Sequence, residues 1–212
     1  MKLYTFFRSS AAYRVRIALN LKGLSFDSIP KMLTRNEQRS PDYLAVNPQG
    51  LVPALDIDGV VLSQSLAIIE YLDETYQQPP LLPADPIGRA QVRSMAMAIA
   101  CDIHPLNNLR VLGYLKQVLH QDGDAVNAWY RHWIGEGFAG LEWQARQHTE
   151  NGRFLFADSV SAADICLVPQ MFNARRFAVD LSPFPTLAAI TTHLESLPAF
   201  AAARPEVQPD AS

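Results

Sequence analysis

Four of the eight residues from Pro79 to Pro86 are proline. Proline fixes φ and lacks the N–H that helices and sheets need, so neither element can run through this stretch. The chain is therefore expected to divide here, into residues 1–80 and residues 81–212. The two sides also differ in pattern. Strand-like and helix-like segments alternate before the prolines, and only helical spacing follows them.

Upstream, "KLYTFF" (2–7) is short and aromatic enough for a strand. Residues 11–22 place Val15, Ala18, Leu19 and Lys22 at helical spacing, and Gly23 supplies a stop. "LSFDSIP" offers a second strand ending at Pro30, and a short helix is expected near Pro41–Ala45. "VPALDI" and "VVLS" flank Asp58-Gly59, a tight-turn signal for a hairpin. A helix then starts at about Ser65. The order βαβ, then ββα, predicts a four-stranded mixed sheet of thioredoxin-like arrangement.

Downstream, Asp85-Pro86 reads as a cap and first-turn proline opening a long helix, which Pro105 must kink or break. A second helix covers roughly Asp124–Thr149. Ser161 and Asp164 stand in capping-box spacing before a third, and a last helix lies near Pro185–Leu197. The fold class expected is α/β plus all-α. The final "RPEVQPDAS" is expected to fray.

Composition narrows the function. Hydrophobic residues make up 49% and charged residues 18% of 212, a globular balance. The net charge of −3 offers no basic field for nucleic acid or an anionic membrane surface. No apolar run reaches the roughly 18 residues of a membrane span, and the N-terminus has no secretory pattern. Cys101 and Cys166 are too distant for a metal or redox motif, which favours a reduced, cytoplasmic protein.

The first strand delivers "FRSSAAYRVRIAL" (7–19) to a helix start. Thioredoxins carry Cys-x-x-Cys at this place; here Arg8-Ser9-Ser10-Ala11 excludes dithiol exchange. Serine at a helix start is a common cap, so the residues alone leave capping and chemistry both open. Gln64-Ser65 likewise opens a helix whose free N–H groups suit either a structural cap or an anion.

Five segments together carry a resemblance: "SSAAYRVRIAL", "NPQGLVPALDIDG", "QSLAIIEYLDE", "IHPLNNLRVL" and "SVSAADICLVPQ", with "NARRFAVDL" near the end. In this order they resemble the zeta-class glutathione transferase family over essentially the whole chain. Two departures stand out: Ala11 replaces the family's cysteine and Tyr13 its tryptophan. A mechanism needing a protein thiol at position 11 is excluded; one in which glutathione is the only thiol survives.

The resemblance implies glutathione as cofactor. Ser9 would hydrogen-bond the sulfur with Ser10 in support, and Val52 and a cis Pro53 would pair with the cysteinyl part. Gln64 and Ser65 would take the γ-glutamyl carboxylate, with Gln38 and Gln49 near the glycyl end. His104, Asn108 and Arg110 would complete the cofactor site. Arg8 and Arg176, with Arg110, would bind a small dicarboxylate, because the guanidinium fork matches a carboxylate. Arg175 is read as a surface residue, and Arg14 and Arg16 as structural ion-pair partners.

The activity implied is glutathione-dependent cis–trans isomerisation of a conjugated diacid formed in aromatic breakdown. Maleylpyruvate going to fumarylpyruvate is favoured over maleylacetoacetate on overall likeness only. No metal is required, and a homodimer is expected. Two other readings stay open: a transferase conjugating or dehalogenating small electrophiles, with a broad apolar second pocket, and a non-catalytic docking module, which would not bind glutathione.

Overall fold

The computed structural model describes residues 1–211. It divides into two compact units, one of Met1–Pro80 together with the segment from Ser196 onward, the other of Leu81–Glu195.

The first unit holds a four-stranded sheet of order β2-β1-β3-β4. Strand β1 (Lys2–Thr5) leads into helix α1 (Ser10–Leu21), and β2 (Asp27–Pro30) returns parallel to β1, with Leu3 opposite Ser28. A short helix α2 (Pro41–Val46), capped by the Ser40 hydroxyl, precedes β3 (Ala54–Ile57), which lies antiparallel to β1. The hairpin to β4 (Val60–Ser63) turns at Asp58 and Gly59, both with positive φ (51° and 92°). That is the conformation a two-residue turn between right-twisted strands demands, and glycine adopts it without steric cost. Helix α3 (Ser65–Thr75) packs on α1. Leu3, Leu55, Val15, Leu19, Ile68 and Leu72 are fully buried and form this unit's core.

The segment from Ser196 onward was expected among the helices of residues 81–212, with its end frayed. Instead it closes on the first unit. Asn20 donates to the Ala199 carbonyl (2.9 Å) and Arg16 Nε to the Ala203 carbonyl (3.2 Å). The Phe7 N–H donates to Asp210 Oδ2 (2.9 Å), and Ala203 and Pro205 are buried. The polar, proline-containing composition suggested fraying because these partners lie nearly two hundred residues away. At the linker, the buried Lys22 ammonium binds Asp73 (2.8 Å) and the Pro79 carbonyl (2.6 Å), fastening the chain where the unit ends.

The second unit is helical. Helix α4 (Pro86–Met97) starts at Asp85, whose carboxylate accepts from Gly88 N (2.7 Å). The helix is interrupted around Pro105, as expected, but over a stretch longer than a single kink. It widens into a π-helical stretch over Ala98–Ile103, followed by a short α5 (His104–Leu106) and, after a break at Asn107, α6 (Leu109–Gln117). At the end of the widening, Ile103 lies so close to Gly137 of α7 (Gly123–His148) that a Cβ there would collide with its side chain.

Helix α8 (Ala162–Arg176) is the buried centre of this unit. The expected capping box forms: the backbone N–H and hydroxyl of Ser161 both reach Asp164 Oδ2 (2.8 Å each). The Leu155 N–H adds a third bond, to Oδ1 (2.8 Å). Helix α9 (Pro185–Ser196) is capped from outside its own sequence by Glu142, which accepts from Thr186 N and Leu187 N at 3.1 and 3.0 Å. Those bonds and Arg146 hold the Glu142 carboxyl below the usual range against the opposing effect of burial. The last short helix, α10 (Pro198–Ala201), belongs with the first unit.

Candidate functional site

In the first unit the loop between β1 and α1 places Arg8, Ser9 and Ser10 where the sheet hands over to the helix. Ser9 is the N-cap: its Oγ accepts from Ala12 N (3.3 Å). A hydroxyl that accepts in this way keeps its own proton to donate elsewhere, so capping and binding are compatible. Ser9 is partly exposed and Ser10 is buried, which leaves Ser9 as the hydroxyl a ligand can reach. The Arg8 guanidinium lies 4.9 Å from the Phe7 ring and 5.7 Å from that of Phe6, and its buried Nε has no hydrogen-bond partner among the described residues.

The two arginines inside α1, expected to make structural ion pairs, also tie the backbone and the helix starts together. Arg16 is buried, and its bonds go to the Thr5 hydroxyl (3.1 Å) and to the carbonyls of Phe6, Phe7 and Ala203 (3.5, 2.9 and 3.2 Å). Burial draws its pKa down to about 10, opposed by Tyr13 and Asp210, so it stays charged at neutral pH. Arg14 donates to the Ser65 hydroxyl (3.3 Å), joining the start of α1 to the start of α3. Sequence reasoning missed these hydrogen bonds; the available signal was two arginines set in an apolar helix, whose donors need polar partners when buried.

The Val52–Pro53 peptide is cis, just before β3 begins its pairing at Ala54. The Leu51 carbonyl ahead of it accepts from the Tyr43 hydroxyl (2.6 Å) and from Asn47 Nδ2 (2.8 Å). Burial pushes the Tyr43 phenol up to about 12, so it remains a donor throughout the physiological range. Gln64 adopts φ 69°, ψ 117°, a conformation that a non-glycine residue holds only under constraint. Its side chain donates to Gln49 Oε1 (3.0 Å), bringing together two residues the sequence keeps fifteen apart. Gln38 donates to Asn36 (3.3 Å) while its buried Oε1 is without a hydrogen-bond partner. Gly50 (φ 61°) lies against the Gln38 carbonyl and Arg39, too close for any side chain.

Gathered in this unit are unsatisfied buried polar atoms on Arg8 and Gln38, the strained Gln64 at a helix start and the Ser9 hydroxyl, which as an acceptor keeps a proton to donate. Among the described residues no cluster of three or more His, Cys, Asp or Glu could hold a metal ion.

The other predicted residues lie in the second unit. His104 opens α5 and is half-buried. Asn108 caps α6, accepting from Arg110 N (3.1 Å), and Arg110 is exposed. Arg175 pairs with Glu195 (2.6 Å), as a surface residue would. Its neighbour Arg176, exposed at the end of α8, lies 5.1 Å from the Phe177 ring, which stacks on Tyr130 at 3.6 Å and 12°. Burial raises the Tyr130 phenol, and Arg176 opposes that rise.

A mixed sheet of this order with a serine-capped first helix and a cis proline before the third strand defines the N-terminal unit of a glutathione transferase. Residues 1–74 match the glutathione S-transferase N-terminal domain family. A probable maleylacetoacetate isomerase of Vibrio cholerae is 52% identical, covering 99% of this chain and 97% of the relative. The holo structure of a maleylpyruvate isomerase, a bacterial zeta-class transferase, has a TM-score of 0.98 at 47% identity, covering 100% of both chains. A maleylacetoacetate isomerase of Methylobacterium extorquens AM1, solved with malonate and glutathione, has a TM-score of 0.95 at 42% identity, again covering both chains fully. The chain belongs to the zeta-class glutathione transferase family of maleylacetoacetate and maleylpyruvate isomerases.

Proposed function

We propose that this protein is a glutathione-dependent isomerase that converts a cis-configured maleyl keto acid, maleylpyruvate or maleylacetoacetate, to its trans isomer. The observation that carries the reading is the Arg8-Ser9 turn at the start of α1: a hydroxyl with a proton to donate beside an arginine whose buried Nε has no hydrogen-bond partner among the described residues. When glutathione is bound, the chemistry it supplies is reversible addition of its thiolate to the cis double bond, which allows rotation before elimination.

The chain's residues prepare that chemistry. The Ser9 hydroxyl donates to the sulfur, and the start of α1 adds its positive dipole end. Together they draw the thiol below its ordinary value of ~8.5. Gln64 and Ser65 hold the γ-glutamyl carboxylate, Val52 and Pro53 the cysteinyl backbone, and Gln38 and Gln49 the glycyl end. Arg14 supports this arrangement through Ser65. Ala11 leaves glutathione as the only thiol required. Arg8 stabilises negative charge that develops on the substrate as the double bond is attacked, the kind of preorganised help that often dominates catalysis. Arg176 takes a substrate carboxylate, with Arg110, Asn108 and His104 in secondary binding roles. The stack on Phe177 and Tyr130 preorganises the Arg176 fork at little entropic cost.

Relatives named for both substrates align along the whole chain, which supports a maleyl keto acid and leaves the group beyond the ketone open. A homodimer belongs to the same reading, supported by the exposed Ile87 and Met97 on α4, as does a cytoplasmic location. No helix among the described residues is long and apolar enough to cross a membrane.

Arg176→Ala tests the substrate assignment. Losing a charged hydrogen bond to a carboxylate is expected to cost kcat/KM for the diacid ~10–100-fold, while glutathione affinity changes less than about twofold. Steady-state kinetics with each component varied separates the two. Equal loss of both would remove Arg176 from substrate binding.

A further inference from the structure

We infer that Asp210, in the C-terminal segment, is a positioning residue for Arg8. The inference rests on the proposed role of Arg8. The turn is gripped from two sides. The Phe7 N–H donates to Asp210 Oδ2 (2.9 Å), while the Phe7 and Phe6 carbonyls accept from Arg16 (2.9 and 3.5 Å). Ser9 N closes the turn onto the Phe6 carbonyl (2.9 Å). The Phe6–Phe7 peptide thus has its donor held by Asp210 and its acceptor by Arg16, and Arg16 also holds the carbonyl of the next peptide, from which Arg8 projects.

The grip depends on the segment being seated. Arg16 Nε bonds the Ala203 carbonyl, Ala203 and Pro205 are buried, and Gln208 Nε2 bonds the carbonyls of Ala202 and Arg204 at 3.1 and 2.8 Å. Asp210 is thereby delivered to Phe7 from 203 residues away in sequence.

Asp210 is also a costly choice for a mere brace. Its Oδ1 is buried without a hydrogen-bond partner among the described residues, an arrangement that penalises a carboxylate. One bond to a backbone N–H could be made by a neutral side chain. What the carboxylate adds is a short charge-assisted bond beside the buried Arg16 cation, and it fixes the peptide immediately before the one that carries Arg8. Small displacements of a charge-stabilising group cost rate steeply, which makes such fixation worthwhile.

Four enzymes test this: wild type, Arg8→Ala, Asp210→Ala and the double variant, each assayed well below its melting temperature, with Asp210→Asn as a fifth. Asp210→Ala is expected to lose about tenfold in kcat for the diacid with glutathione KM nearly unchanged. Asp210→Asn keeps an oxygen acceptor for the Phe7 N–H but not the charge, and should recover only part of that loss. In the double variant the Asp210 effect should vanish, because there is no Arg8 left to misplace. Additive losses, or wild-type kcat in Asp210→Ala, would overturn the inference while leaving the functional reading intact. Wild-type turnover in Arg8→Ala would instead overturn the role of Arg8, and the inference with it.

Discussion

Asp164→Ala should destabilise the protein by about 3–5 kcal/mol at pH 7, the largest single-residue effect expected anywhere in the chain. The side chain is fully buried and accepts three hydrogen bonds, from Leu155 N, Ser161 N and Ser161 Oγ. Alanine leaves all three donors in the interior with nothing to bond, at about 1–3 kcal/mol each, and opens a void beside the start of α8. Helix α8 is the buried centre of its unit, so the loss should appear as a lower midpoint in urea, not as local fraying. The pH dependence adds a second check. Burial raises the carboxyl to about 6 against the opposing hydrogen bonds, so the native state favours the protonated form more than the unfolded chain does. That contribution is complete below the ordinary carboxylate range and is lost as pH climbs to about 6. The gap between wild type and variant should therefore widen as pH falls from 7 towards 4. A gap below about 1 kcal/mol at both ends would show that the capping box is not holding α8.

Ser9→Ala should lower turnover at pH 7 by ~10²-fold, the usual scale for deleting one donor to a developing or stabilised anion. Two duties meet at this hydroxyl, and the experiment must separate them. As the cap of α1 it satisfies Ala12 N, worth about 1 kcal/mol of stability. As a donor it would hold the sulfur of bound glutathione as thiolate. Ser9→Gly distinguishes the two: glycine costs a helix start only a few tenths of a kcal/mol, yet it has no hydroxyl. If the chemical role is right, both variants lose activity equally, and the bound thiol, followed by thiolate absorbance, titrates near its free value of ~8.5. A glycine variant with near wild-type turnover would reduce Ser9 to a cap.

The elements best read from sequence are those fixed by neighbours in the chain. Asp58-Gly59, Asp85-Pro86 and the Ser161–Asp164 spacing each carry their own geometry within four residues, and each forms as expected. Pro105 announced the interruption of this helix, but the length and π-helical form of the widening at 98–103 were not legible from local pattern. The seating of the C-terminal segment was illegible as well: its partners are Arg16, Asn20 and Phe7. In the candidate site, the residues at helix starts stood out locally but could equally be caps, and family likeness was needed to give them roles. The Gln49–Gln64 contact and the service of Arg14 to Ser65 depend on the hairpin and α1–α3 packing, which no local pattern encodes.

The central claim is reversible thiolate catalysis, and one assay addresses it directly: conversion of maleylpyruvate with and without glutathione, with the product isomer and remaining glutathione both quantified. The account predicts formation of the trans isomer only when glutathione is present, with glutathione undiminished after many turnovers. Stoichiometric loss of glutathione into an adduct, or equal conversion in its absence, would contradict it.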